Sequence, residues 1–310
     1  MKNKKETILI ALGGNALIQK GQKGTAEEQI RNLKKPLDII AKLSREYRIV
    51  ITHGNGPQVG NLLLQQESCD AVPKMPLDVV GAESQGQIGY LIESTLDTAL
   101  MNIGIENSQP FATLITYTVV DQNDPLFQNP TKPVGPFYTK EQAEKLPYRM
   151  VETIHGYRRV VASPKPVDII NHREVKTLID MNFIVICCGG GGIPVIREGK
   201  SFQGVDAVID KDLASSLLAS EIDADLFIVA TDEKGVYVNF GKPDQKFIET
   251  MTVAEARKHI SDGQFPAGSM KPKVESAVNF AEATGKRAVI TALDDILEAV
   301  AGKSGTAVVR

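Results

Sequence analysis

The chain has 310 residues, 42% hydrophobic and 24% charged, with 35 basic against 38 acidic side chains and a formal net charge of −3. That is an ordinary globular composition, and it excludes a disordered or collagen-like chain. It also excludes a general basic field, so neither nucleic acid nor an anionic membrane is expected as a partner, while a small anion in a locally basic pocket is still open.

At roughly 150 residues per domain, the length predicts two lobes. After the lysine-rich start Met1-Lys2-Asn3-Lys4-Lys5, the run Ile8–Leu12 is apolar throughout and ends in Gly13-Gly14. It is too short for a secretory signal and reads instead as a buried strand. Thr25–Leu43 carries apolar residues at helical spacing, with Pro36 expected to kink or divide it. Arg48–Thr52 is a second strand, followed by His53-Gly54-Asn55-Gly56-Pro57 and a helix opening near Pro57. Val79–Ile103 predicts a long helix and Phe111–Val120 a strand.

Asp121–Pro166 breaks the rhythm and holds a large share of the 16 prolines. A stretch this long without regular alternation has a purpose in a compact protein. It reads as an inserted lid, with a short helix near Lys140–Lys145 and a strand near Arg159–Ala162. Alternation then resumes: helix Glu174–Met181, strand Phe183–Cys188, a turn at Gly189–Gly192, helix Lys211–Glu221 and strand Asp225–Thr231. Helices Val253–Ser261 and Pro272–Thr284, strand Arg287–Thr291 and helix Ile296–Ala301 complete it. Such alternation predicts an α/β fold with a mainly parallel sheet and helices on both faces.

The three cysteines and four histidines show no metal-ligand spacing. Cys187 and Cys188 read as core thiols, which fits a reducing cytoplasm. No stretch approaches the roughly 20 apolar residues of a membrane span.

Ligands of open α/β sheets bind beyond the carboxyl ends of the strands, and glycine clusters stand at three of those ends: Gly13-Gly14-Asn15, Gly54-Asn55-Gly56 and Gly189–Gly192. A strand-to-helix turn wants glycine for its own sake, but three equivalent clusters point to a shared ligand site whose backbone N–H groups face an anion. The chain has no P-loop run and no Gly-x-Gly-x-x-Gly after a strand. Lysines supply the cations. Lys132 lies between two prolines in Asn129–Pro133. Lys211 opens a helix between Asp210 and Asp212. Lys271 and Lys273 flank Pro272 after Gly268-Ser269-Met270, a good helix opening. A lysine at a helix start opposes the dipole, a cost that an anion bound there would offset. Phosphoryl transfer uses these parts: charge neutralisation, backbone donors and in-line positioning, with little covalent help.

Ala11–Ala16, His53–Gly60, Asn129–Pro133, Gly189–Pro194, Val208–Asp212 and Gly268–Met270 with Lys273 together resemble the carbamate kinase branch of the amino acid kinase family, from about the first strand to the last. The resemblance implies a three-layer α/β/α sandwich around a central, mostly parallel sheet with a protruding lid subdomain. It implies an acceptor lobe at 1–205, including the lid at 121–166, and a nucleotide lobe at 206–310. The reaction implied is reversible phosphoryl transfer between carbamoyl phosphate and ADP, giving carbamate and ATP, with Mg2+ held by the nucleotide phosphates, in a homodimer. Lys132, Lys211 and Lys273 would contact the transferring or leaving oxygens, and Asp212 would orient the lysines. Gly13, Gly14, Asn15, Gly54, Asn55, Gly190 and Gly191 would surround the acceptor. Thr231, Asp232 and Tyr237, with Gly268, Ser269 and Met270, would serve the nucleotide. Three lid positions depart from the branch: His155 for arginine, Tyr157 for tryptophan and Ala162 for proline. They bear on lid closure and acceptor choice. Two other readings stay open, a kinase of another small carboxylate and a catalytically weak sensor of nucleotide or carbamoyl phosphate.

Overall fold

A computed structural model describes residues 5–105 and 109–310; the lysine-rich start, residues 1–4, lies outside them. The central sheet has eight strands, in the order Thr250–Thr252, Thr306–Val309, Ala288–Ala292, Leu226–Thr231, Thr7–Leu12, Arg48–His53, Ile184–Ile186 and Phe111–Thr113. Every pairing is parallel except that of Ala288–Ala292 with Thr306–Val309.

The central strands are apolar throughout because both faces are covered. Leu9, Val50, Phe227 and Ile290 point to one side and pack with the helices Lys211–Glu221 and Met270–Thr284. Ile8, Ile10, Ile49, Ile51 and Ile228 point to the other and meet Ala26–Leu43 and Leu77–Asn102. Two-residue alternation thus divides each strand between two cores. Among the described residues no helix is long and apolar enough to cross a membrane.

Three expectations are corrected. Pro36 does not divide its helix: Ala26–Leu43 runs as one helix, opened by a Thr25 capping box. Leu33, Leu37 and Ile40 are fully buried around the proline and hold both sides to the core. Phe111–Val120 is not one strand. Phe111–Thr113 joins the central sheet and Tyr117–Val120 a second one, ordered Ser201–Gly204, Ile193–Glu198, Tyr117–Val120, Pro166–Ile169. The break lies at Thr116, whose N–H donates to Gln85 Oε1 at 2.9 Å and whose carbonyl accepts from Gln85 Nε2 at 3.3 Å. The Gln85 amide thereby satisfies the Thr116 N–H, while the Thr116 carbonyl also accepts from the Ile193 N–H at 2.8 Å, where the second sheet begins. Ser269 stands at the cap of Met270–Thr284 but makes no side-chain cap bond.

The chain leaves the second sheet at Val120 and rejoins it at Pro166, and these two residues face each other. Between them lie three antiparallel strands, Lys132–Tyr138, Gly156–Val161 and Met150–Thr153, with Gly156–Val161 in the middle, and the short helix Lys140–Ala143. The lid is not free of the body. Its Val134 and Val161 bury themselves with Val59, Leu63, Leu77 and Val80.

Candidate active site

Carboxyl ends of parallel strands converge on a cavity of about 460 Å3, lined among others by Gly14, Gly54, Asn55, Gly190, Lys132 and Lys211. Gly54 donates its N–H to Leu12 O at 3.3 Å, which ties the second glycine cluster to the first strand. A Cβ on Gly54 would stand 3.6 Å from Lys211 Cδ and 3.7 Å from Gly14 N, so the two loops and the lysine stem are neighbours. Gly190 has φ +65° and stands so close to Asn55 that a Cβ would fall 2.0 Å from Asn55 Nδ2. Only glycine fits there. Asn55 Nδ2 itself donates to Ser84 Oγ at 2.8 Å.

Helix Lys211–Glu221 begins at this cavity. Asp210 caps it, accepting from the N–H of Asp212 at 3.0 Å and of Leu213 at 3.4 Å, the usual work of an N-cap carboxylate. Lys132, at the start of the lid strand, has its ammonium 3.9 Å from Asp210 Oδ2. Lys211 Nζ donates to Asp212 Oδ1 at 2.5 Å, and Lys273 Nζ donates to Asp212 Oδ2 at 2.9 Å. Asp212 is 4% exposed.

Electrostatics follow from that burial. Burial lowers the Lys211 pKa, outweighing the pull of Asp212, and the Lys273 charge adds to the fall. Burial alone would raise the Asp212 carboxyl, but Lys211 and Lys273 outweigh it and hold it below its ordinary value. Both lysines therefore rest on one ionised carboxylate. His53 is driven to about 4 by burial, and it bonds Gly54 O through Nδ1 at 2.9 Å. It is a neutral packing residue against Gly189.

A second cleft, of about 180 Å3, adjoins Lys273 and is lined by Thr231, Asp232, Tyr237, Phe240, Ser269 and Met270. Thr231 Oγ1 donates to Asp232 Oδ1 at 2.9 Å, and the Tyr237 ring packs 5.9 Å from Phe240 and 5.2 Å from Phe247.

Most expected residues are therefore gathered, with four exceptions. Asn15 is exposed and does not line the acceptor cavity, and Gly13 and Gly191 are buried behind it. Gly13 N–H donates to Ala230 O at 3.0 Å, and a Cβ on Gly191 would fall 2.7 Å from Ile209 O. Gly268, expected with the nucleotide, lines the acceptor cavity instead. Lys271 is half-buried and pairs with Glu275 at 3.8 Å. In the lid, His155 packs edge-on to Phe137 with ring centres 5.6 Å apart, Tyr157 lies opposite Tyr138, and Ala162 bridges Ala207.

Sequence reasoning missed Arg158, a cation lining the acceptor cavity. The double arginine was visible, but adjacent strand residues face opposite ways and the sequence does not say which one faces in. It also missed a cluster outside the site. His172 lies with Asp168 and Glu221, their polar atoms within 4.8 Å of one another. His172 Nδ1 bonds Ile169 O at 2.7 Å, and burial pushes the Glu221 carboxyl up to about 8.

One cavity is lined by Lys211 and the other by Lys273, and the buried Asp212 carboxylate joins the two lysines, an arrangement suited to moving an anionic group between two small molecules. Residues 6–292 match the family model of the Amino acid kinase family. The chain belongs to the amino acid kinase family. It is 50% identical over 313 residues to a carbamate kinase of Thermococcus kodakarensis, covering 98% of this chain and 99% of that protein. It is 50% identical over 308 residues to a carbamate kinase of Haemophilus influenzae, covering 98% of this chain and 96% of that one. Among solved structures, a carbamate kinase from Giardia lamblia bound to AMP-PNP superposes with a TM-score of 0.94 at 43% identity, covering 98% of each chain.

Proposed function

We propose that the protein is a carbamate kinase, transferring a phosphoryl group reversibly between carbamoyl phosphate and ADP to give carbamate and ATP. The observation that carries this reading is the Lys211–Asp212–Lys273 bridge between the glycine-lined cavity and the adjoining cleft. The identity of about half to carbamate kinases over nearly the full chain supports it.

In the direction of ATP formation, the bond from phosphorus to the carbamate oxygen breaks and one to a β-phosphate oxygen of ADP forms. Carbamate leaves with the electron pair, and no proton needs to move. A site with cations and no general base suits that balance. Lys211 and Lys273 approach the migrating group from the acceptor and nucleotide sides, where negative charge spreads over its oxygens. Lys132 comes from the lid and covers the same cavity. Asp212 holds the two lysines at fixed separation without itself reacting.

ADP is taken as its magnesium complex, with the metal on the nucleotide phosphates. Both Asp212 oxygens are engaged by lysines, while Asp232 and Glu233 line the nucleotide cleft. Hard oxygen donors of this kind suit the waters of a magnesium ion. Residues 1–205 would form the acceptor lobe, with 121–166 as its lid, and 206–310 the nucleotide lobe.

The functional unit is a homodimer. Val79, Tyr90 and Met101 are exposed on the helix Leu77–Asn102. Their eleven-residue spacing is about three helical turns, so they form one apolar stripe. Three free thiols support a cytoplasmic setting.

The test is ATP formation from carbamoyl phosphate and ADP in a coupled assay, with acetyl phosphate in parallel. Turnover with carbamoyl phosphate alone is expected. Preference for acetyl phosphate would move the assignment to another small carboxylate, and no product from either would make the protein a sensor.

A further inference from the structure

We propose that Arg158 is a substrate-binding residue of the acceptor cavity, its guanidinium taking the oxygens of the carbamoyl end of carbamoyl phosphate and of the carbamate that leaves. This rests on the carbamate kinase reading above.

Arg158 and Arg159 are neighbours on the central lid strand and go opposite ways. Arg159 is 8% exposed, stacks 4.0 Å over the Tyr148 ring and pairs with Asp206 at the base of the lid. Arg158 lines the acceptor cavity with Lys132, Lys211 and Asn55. The facing strand is built around it. Register passes from Val134 opposite Arg159 to Tyr138 opposite Tyr157, so Gly135, Pro136 and Phe137 bulge against Arg158 alone. The bulge needs a glycine, since Gly135 has φ +72°. Gly135 O accepts from Arg158 Nη2 at 3.0 Å, and the Phe137 ring lies 5.1 Å from the guanidinium carbon. Carbonyl and ring together fix the plane of the group.

The guanidinium lacks an anion. Among the described residues no carboxylate is within ion-pair reach of it, and its buried Nε has no hydrogen-bond partner. Burial also pulls its pKa down. An aimed, half-buried cation with an unsatisfied N–H is costly in an empty site. An anion seated in the cavity supplies the missing charge.

Its place among the other cations selects the part of the substrate. Lys211 and Lys273 share Asp212 at the boundary with the nucleotide cleft, which is where the phosphoryl group must pass. Arg158 belongs to the lid, on the acceptor side. A planar fork matches a carboxylate-like group better than an ammonium does. As the phosphorus–oxygen bond breaks, the carbamate oxygen gains charge, and the guanidinium stabilises it.

The experiment measures kcat and KM for carbamoyl phosphate and for ADP in the wild type, Arg158→Gln and Arg158→Lys, with ADP binding by calorimetry as a check on folding. In Arg158→Gln, kcat/KM for carbamoyl phosphate is expected to fall about a hundredfold, the scale of one donor lost from developing charge. KM and affinity for ADP should stay within about threefold. Arg158→Lys keeps a cation without the fork and should fall about tenfold, which keeps the question answerable if the glutamine variant does not fold. Wild-type kcat/KM for carbamoyl phosphate in either variant, or a loss of ADP affinity well beyond threefold, would overturn the proposal. If the wild type itself makes no ATP from carbamoyl phosphate, the reading of the whole site fails, and this assignment goes with it.

Discussion

Lys211 and Lys273 share one counter-ion: the Asp212 carboxylate accepts from Lys211 on Oδ1 at 2.5 Å and from Lys273 on Oδ2 at 2.9 Å. One lysine lines the acceptor cavity and the other the nucleotide cleft. The carboxylate therefore sets the spacing of two positive charges across the line that a phosphoryl group would travel.

Lys211→Ala and Lys273→Ala are each expected to lower kcat about a hundred- to a thousandfold. Affinity for ADP should change less than about tenfold, since the lysines act on charge that develops during transfer. Lys271→Ala should be nearly silent, because Lys271 pairs with Glu275 and lines neither cavity. Steady-state kinetics with calorimetric ADP titration separates these outcomes. A damaging Lys271→Ala and a silent Lys273→Ala would exchange their roles.

Asp212→Asn leaves two ammonium groups in a buried site without their anion. Breaking a buried ion pair on one side costs about 3–5 kcal/mol, so thermal denaturation should show a clearly lower Tm. Burial already lowers the Lys211 pKa, and loss of the carboxylate lowers it further. The alkaline fall in kcat should therefore begin at lower pH than in the wild type. An unchanged alkaline limb would argue that Asp212 does not set the Lys211 titration.

Glu221 supplies a pH dependence outside the site. Burial, with the Asp168 charge adding, raises its pKa from 4.5 to about 8. A raised carboxyl keeps its proton in the folded state at pH values where the unfolded chain releases it. Stability should fall as pH climbs from 4.5 toward 8 and then level off. Glu221→Gln removes that dependence. Its Tm relative to wild type should rise steadily between pH 5 and pH 8. A constant difference over that range would show that Glu221 titrates normally.

Deleting the lid between Val120 and Pro166 with a short Gly-Ser bridge joins two residues that already face each other. The central sheet should remain folded and turnover should vanish with Lys132 and the cover over the cavity. Val59, Leu63, Leu77 and Val80 lose their lid partners Val134 and Val161. The truncated protein should therefore bind a hydrophobic dye that the full chain does not. A molten product, judged by near-ultraviolet circular dichroism, would make the lid part of the core.

Much of the fold was legible because the central strands are apolar along their whole length and the helices keep a strict period. Among the strands that escaped notice, Lys132–Tyr138 and Ile193–Glu198 carry prolines that mask the strand pattern, whereas Val236–Val238, Lys246–Ile248, Thr250–Thr252 and Thr306–Val309 are short. Their three or four residues carry too little pattern to stand out from loops. Pro36 misled because local propensity argues for a break, whereas burial on both sides of it decides otherwise.

Read alone, the sequence determined the α/β class and the glycine loops at the strand ends, and it singled out Lys132, Lys211, Asp212 and Lys273 as candidate residues of the reaction. These are local signals, carried by runs and motifs a few residues long. Tertiary structure decided how they combine. It set one carboxylate between two lysines from different helices, turned Asn15 out to solvent, and moved Gly268 to the acceptor side. It also chose which of two adjacent arginines enters the cavity, because a bulge in the facing strand accepts only one of them. Such choices depend on contacts between segments far apart in the chain, and no local pattern carries them.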